Sequence, residues 1–165
     1  MRASGPRPLE RGSTYAYSGT FTPHTSSCGS ERFLSHSTRL TSCGRDDNIL
    51  ELIVHYDLDH ETEEPFGPAQ VLHVSEVGLP VEDVLAQVSL LREKLAIEPY
   101  GGLASEEFAF MGDIYGQLVV VKIGRPWQPA ETLLAAVAPM QLTMSGKPEQ
   151  QLQLSPYPYT ITVVL

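Results

Sequence analysis

Residues 71–127, VLHVSEVGLPVEDVLAQVSLLREKLAIEPYGGLASEEFAFMGDIYGQLVVVKIGRPW, decide the fold. Within them Val84, Leu85, Val88, Leu91 and Leu95 recur every three to four residues, which predicts an amphipathic helix over 81–95. Glu82 and Asp83 fall at its start and Arg92 and Lys94 in its last turn, as the helix dipole favours. Pro99 and Gly101-Gly102 stop it. The run before it, 71–77, reads as a strand. After it come a short strand over 107–111 and the most apolar strand of the chain, GQLVVVKI at 116–123. The turn-forming Gly112-Asp113-Ile114-Tyr115 joins the two. Strand, helix, then several strands is an α+β order, with one helix covering one face of a mixed sheet.

Downstream, 131–138 reads as one or two short helical turns, and Met140–Met144 and Tyr159–Leu165 read as strands. Upstream, 57–70 is an acidic linker punctuated by Pro65, Gly67 and Pro68. Before it, NILELIVHY at 48–56 alternates as a strand. Leu50, Leu52, Val54 and Tyr56 share one uniformly apolar face, the expected packed one. Ile49, Glu51, Ile53 and His55 share the other.

Residues 1–45 differ in kind. They hold nine Ser and six Thr but no Ile or Val, a composition that contributes little to a core and predicts a disordered or atypical N-terminal segment. The one strand-like run there is Thr14–Phe21. Charge changes at the same place: six Arg against Glu10 and Glu31 give +4 before residue 46. Five basic and 18 acidic side chains give −13 after it. An acidic folded part repels a phosphate backbone, so nucleic acid is not an expected partner. Cys28 and Cys43 make no disulfide framework, and a zinc site would need two more close ligands. No apolar run reaches membrane-spanning length and no apolar segment follows Met1, so no membrane contact and a cytoplasmic location are expected.

Candidate chemistry is sparse. Glu51 is a carboxylate in mid-strand among branched apolar residues, a group that either faces solvent or meets a cation. His55 lies on the same face as a second ligand candidate or a satisfied surface histidine. Glu76 is a further carboxylate near a strand end, a ligand or a partly exposed side chain. Arg125 and Trp127, in a loop fixed by Pro126 and Pro129, offer an anion or stacking contact with a substrate, or simply cover the core. No phosphate loop, Ser-His-Asp set or nucleophile elbow is present.

DDNILELIVHYD at 46–57 resembles the last strand of a module in the vicinal oxygen chelate superfamily of glyoxalases, bleomycin resistance proteins and extradiol dioxygenases. The Asp46-Asp47-Asn48 turn lacks that family's Pro and Gly, and the ligand position falls on Glu51. SEVGLPVEDVLAQVSLLREKLAIEPYG, followed by GDIYGQLVVVKIGRPWQP, looks like the start and middle of a further βαβββ module. Aligning Asp83 with the family's helix-start Asp puts Glu76 where the first-strand His is usual. The closing strand, taken as YTITVVL, has no acidic residue.

The resemblance covers residues 46–165 as a glyoxalase-like domain, 46–57 being a remnant strand of a preceding module. It implies a divalent metal ion (Fe, Mn, Zn, Ni or Mg) at Glu51, Glu76 and His55, and a lyase or dioxygenase acting on a small oxygen-rich or aromatic substrate. It also implies pairing of two modules, hence a homodimer. The alternatives are a non-catalytic small-ligand-binding or dimerisation module, or an inactive truncated relative.

Overall fold

Alternating apolar and polar residues organise most of the chain into strands. The computed structural model describes residues 16–17, 32–33, 37–43, 48–59, 63, 65, 67–128 and 131–165. In chain order its elements begin with β1 (Ala16–Tyr17), β2 (Arg32–Phe33), β3 (Ser37–Cys43) and β4 (Ile49–His55). A single 3-10 turn, Pro68–Gln70, leads to β5 (Glu76–Val81) and α1 (Val84–Leu95). Then follow β6 (Pro99–Ala104), β7 (Phe108–Asp113), β8 (Gly116–Lys122), β9 (Met140–Ser145), β10 (Gln150–Gln153) and β11 (Tyr159–Val164). The α+β class with mixed sheets and one helix among the described residues is as expected.

Among the described residues three sheets result: β5-β8-β7-β6, β1-β9-β11-β10 and β2-β3-β4. In the first, β5 runs parallel to β8 while β8-β7 and β7-β6 are antiparallel, so α1 lies in the loop between β5 and the hairpin strands. In the second, β9 and β11 are parallel and β10 lies antiparallel outside β11.

The helix starts where the side chain of Asp83 accepts the N–H of Ala86 at 2.9 Å, making Asp83 the N-cap. It ends at Ala96, which takes the left-handed conformation (φ 54°) and donates its N–H to the Arg92 carbonyl. Val84, Val88, Leu91 and Leu95 are buried as their spacing predicts, but Leu85 is exposed and Gln87 takes its place in the buried stripe. That stripe meets Leu79, Val81, Met111, Leu118 and Val120 of the first sheet. Leu142, Met144, Ile161 and Val163 of the second sheet complete the same core. Three polar contacts fix the second sheet along the helix. The Glu82 N–H donates to the Tyr157 hydroxyl (2.8 Å), and the Tyr159 hydroxyl donates to the Pro80 carbonyl (2.7 Å). At the other end, Gln150 Nε2 donates to the Lys94 carbonyl (2.6 Å), one of the helix's terminal acceptors. Among the described residues no helix is long and apolar enough to cross a membrane.

Several expectations are corrected. The strand expected over 71–77 lies at 76–81 and continues through Pro80. Proline is tolerated because β5 is an edge, where one side of the ladder needs no N–H. Residues 131–138 form no helix. Gly124 N–H to Ala135 O, Ala135 N–H to Arg125 O and Trp127 N–H to Leu133 O tie this segment to 124–127 as an extended flap. β6 was hidden by Pro99 and the Gly101-Gly102 pair, which read in the sequence as helix terminators but lie within the strand. Gly101 and Gly102 have φ of 64° and 71°, and the β6-β7 register shifts across them. β10, QQLQ, offers too little apolar pattern to be read as a strand.

The faces of β4 are reversed. Leu50, Leu52, Val54 and Tyr56 are exposed, whereas Ile49, Glu51, Ile53 and His55 are half-buried. Alternation gives the period of a strand but not which side finds a second layer. The polar side can close here because buried Thr41, opposite Glu51 on β3, donates its hydroxyl to the Glu51 carboxylate at 3.0 Å. β3 itself was not anticipated in the Ser/Thr-rich N-terminal segment, and of the run 14–21 only Ala16–Tyr17 falls within the described residues, paired with β9.

Candidate functional site

The sheet β5-β8-β7-β6 has two unlike faces, and register assigns each residue to one. Val77-Leu118-Met111 and Leu79-Val120-Ala109 are cross-strand rows on the helix side. The opposite face carries Glu76 beside Gln117, then Gly78-Val119-Phe110, then Pro80-Val121-Phe108. Phe108 and Phe110 meet edge to face with centroids 4.6 Å apart.

The flap formed by residues 124–128 with 131–135 brings two more groups to this second face. Hydrogen bonds at Gly124, Trp127 and Ala135, with a bridge between Pro126 and Leu134, set its path. Arg125 then lies with its guanidinium carbon 4.9 Å from the centroid of Phe108, a cation–π contact. The six-membered edge of the Trp127 indole occupies the space above the Cα of Gly78, where a Cβ would come within 2.8 Å of Cη2. Glycine at 78 is what lets the indole reach the sheet. Arg125, Trp127, Phe108 and Phe110 are all half-buried, so each keeps a solvent-facing edge.

Of the residues singled out from sequence, the structure places Glu76, Arg125 and Trp127 with one face of one sheet. Glu51 and His55 share a face of β4, in a different sheet. Among the described residues no group of three or more His, Cys, Asp or Glu side chains is arranged to hold a metal ion. Asp83 has the role of helix cap.

Gln117 was missed. The strand that runs parallel to β5 and closes its sheet is β8, not 159–165, and Gln117 is the residue of β8 in register with Glu76. Its side chain is 7% exposed. A lone amide ahead of the apolar Leu118–Val121 run was the available signal. Glu76 and Gln117 together present three side-chain oxygens and one amide N–H₂. Zinc takes three or four protein ligands and larger divalent ions take more, so this pair alone does not complete a metal site. What it can do is orient a small polar group by hydrogen bonds, next to an aromatic wall and a cation.

A second, shallow groove lies where the start of α1 meets β8, lined by Glu82, Asp83, Ser89, Glu106 and Lys122. Lys122 pairs with Glu107 at 2.9 Å, and that hydrogen bond, followed by the carboxylate's charge, raises the ammonium pKa. Compared with models of known protein families, with curated proteins and with solved structures, the chain has no match in any of the three.

Proposed function

We propose that this chain is a glyoxalase-like (vicinal oxygen chelate) module that binds a small oxygen-rich or aromatic molecule on the face carrying Glu76, Gln117, Arg125 and Trp127. One observation carries the reading. The β-α-β-β-β run from Glu76 to Lys122 forms a sheet in the order first-fourth-third-second, and its opening and closing strands set Glu76 beside Gln117. In the superfamily that this sequence resembles, ligating side chains come from the opening and closing strands of each module. Here the glutamate and glutamine supply polar anchors, while Phe108, Phe110 and Trp127 supply stacking surface and Arg125 a charge for an anionic substituent.

A second reading, a divalent-metal lyase or dioxygenase, draws on the same Glu76–Gln117 pair. It needs further ligands, with Glu51 and His55 as the candidates in this chain, and a paired module or second copy as their other source. A metal held there would act as a Lewis acid on vicinal oxygens of the substrate.

Trp127 is the sole tryptophan, so its emission reports directly on this face. Titration with catechol, alone and with Mn²⁺ or Zn²⁺, is expected to quench it saturably, and Glu76→Ala and Gln117→Ala to weaken the response. A metal requirement would favour the enzyme. No saturable change with or without metal would sink both readings.

A further inference from the structure

Gln117 is a buried amide whose side chain the fold leaves without a bond. The residue is 7% exposed, and its backbone N–H donates to the Ser75 carbonyl at 2.7 Å. Its side-chain amide has no hydrogen-bond partner among the described residues. A buried primary amide in that condition is uncommon, because losing water costs it free energy that a hydrogen bond ordinarily offsets. Gln87, the other buried glutamine among the described residues, lies in the stripe of α1 that meets the core. Gln117 instead stands on the sheet face turned away from the helix, and its surroundings there are aromatic. Gln117 and Val119 share that face of β8, two residues and about 7 Å apart. Val119 is in register with Phe110 on one side and, on the other, with Gly78, over which the Trp127 indole rests. Opposite Gln117 on β7 is Gly112, which contributes no side chain beside the amide.

We propose that this face takes a planar heterocycle whose edge carries a hydrogen-bond donor and acceptor side by side, as a lactam or a pyrimidine base does. Gln117 reads that edge, and Trp127 and Phe110 hold the ring. The inference rests on the ligand face proposed above and names the class of molecule that occupies it. A glutamine amide offers an acceptor oxygen and a donor N–H₂ on one planar fork. It therefore meets a donor–acceptor edge through two bonds at once, the way glutamine reads the edge of a base. A ring lacking such an edge would stack equally well and leave the amide buried and unpaired, which costs affinity. The half-buried Trp127 and Phe110 keep solvent-facing edges against which a flat ring can lie. The charge of −13 after residue 45 repels a phosphate backbone, so the occupant is the free small molecule and not a base within a nucleic acid.

Uracil and 1,3-dimethyluracil test it, since the two rings stack alike and the second has both N–H groups capped. Titrated against the Trp127 emission of the full chain, uracil is expected to bind saturably, about tenfold or more tighter than the dimethyl ring. Gln117→Met keeps an unbranched side chain of similar length and drops the amide. It should remove the preference for uracil, with the far-UV circular dichroism unchanged. Equal binding of the two rings by the wild-type protein, a comparison that needs no variant, overturns the proposal. So does a preference for uracil that survives Gln117→Met. Uracil without effect where catechol still quenches overturns this inference and leaves the ligand face standing, whereas silence from both compounds removes the two together.

Discussion

The contact between Gly78 and Trp127 predicts a substitution whose effect changes sign with its background. A Cβ at position 78 would stand 2.8 Å from Cη2 and 3.1 Å from Cζ2 of the indole. Carbon pairs rest at about 3.5 to 4.0 Å, so the ring must retreat by about 0.7 to 1 Å or the edge strand must bend. Overpacking of this size costs about 1 to 3 kcal/mol. Trp127 sits on a flap and is half-exposed, which favours the lower end. Against this, alanine in a strand gains about 0.5 to 1 kcal/mol over glycine through the unfolded chain. Gly78→Ala should therefore destabilise the protein by about 0.5 to 2 kcal/mol. With Trp127→Ala already in place, it should stabilise by about 0.5 to 1 kcal/mol. Urea denaturation followed by circular dichroism measures both arms of the cycle, and the emission maximum of the single tryptophan should move red in Gly78→Ala. Equal effects of Gly78→Ala in the two backgrounds would refute the placement of the indole, and with it the ligand face built on it.

Four further substitutions probe the frame. Burial, and secondarily the charge of Tyr157, pushes the Tyr159 hydroxyl up to about 12. An unfolded tyrosine ionises near 10. Between those values the unfolded chain has lost a proton that the native state keeps, so this contribution is intact below pH 10 and falls as pH rises to 12. Tyr159→Phe should lose about 1 kcal/mol with the Pro80 hydrogen bond, and flatten the decline in urea midpoint between pH 10 and 12. Ala96→Gly should raise the melting temperature, because left-handed backbone costs alanine about 1 to 2 kcal/mol and glycine almost nothing, less a smaller unfolded-state term. Gly112 has φ of 135°, and a Cβ there collides with the Gly116 carbonyl oxygen across the β7-β8 turn. Gly112→Ala should cost about 2 kcal/mol or more by denaturation. Gly124→Ala, at φ 81° with open space around it, should cost about 1 kcal/mol.

The elements that sequence makes legible are those whose pattern is paid for by one local partner layer. α1 shows this, with Val84, Val88, Leu91 and Leu95 all facing the core, and so does β8, apolar on both faces. Where a long-range partner decides, pattern misleads. Leu85 extends the apolar stripe on paper, yet Gln87 is the buried residue, and its Nε2 has no hydrogen-bond partner among the described residues. On β4 the alternation is correct and its sense inverted, because Thr41, ten residues upstream, closes the polar face through one hydroxyl. Pro80 and Gly78 argue locally against a strand, and both are accommodated for reasons that lie elsewhere. Pro80 stands on an edge and receives the Tyr159 hydroxyl, 79 residues away, while Gly78 makes room for an indole 49 residues downstream.

The candidate site follows the same logic. Glu76, Arg125 and Trp127 were recognisable singly as a strand-end carboxylate, a loop cation and a loop aromatic. Their meeting on one face depends on the flap bonds at Gly124, Trp127 and Ala135, which no periodicity encodes. Gln117 had no signal beyond being polar in an apolar run, and only the parallel β5-β8 register makes it the neighbour of Glu76. A carboxylate and an amide side by side, at the end of an otherwise apolar face and away from the core that holds the helix, are the placement on which the proposed ligand reading rests.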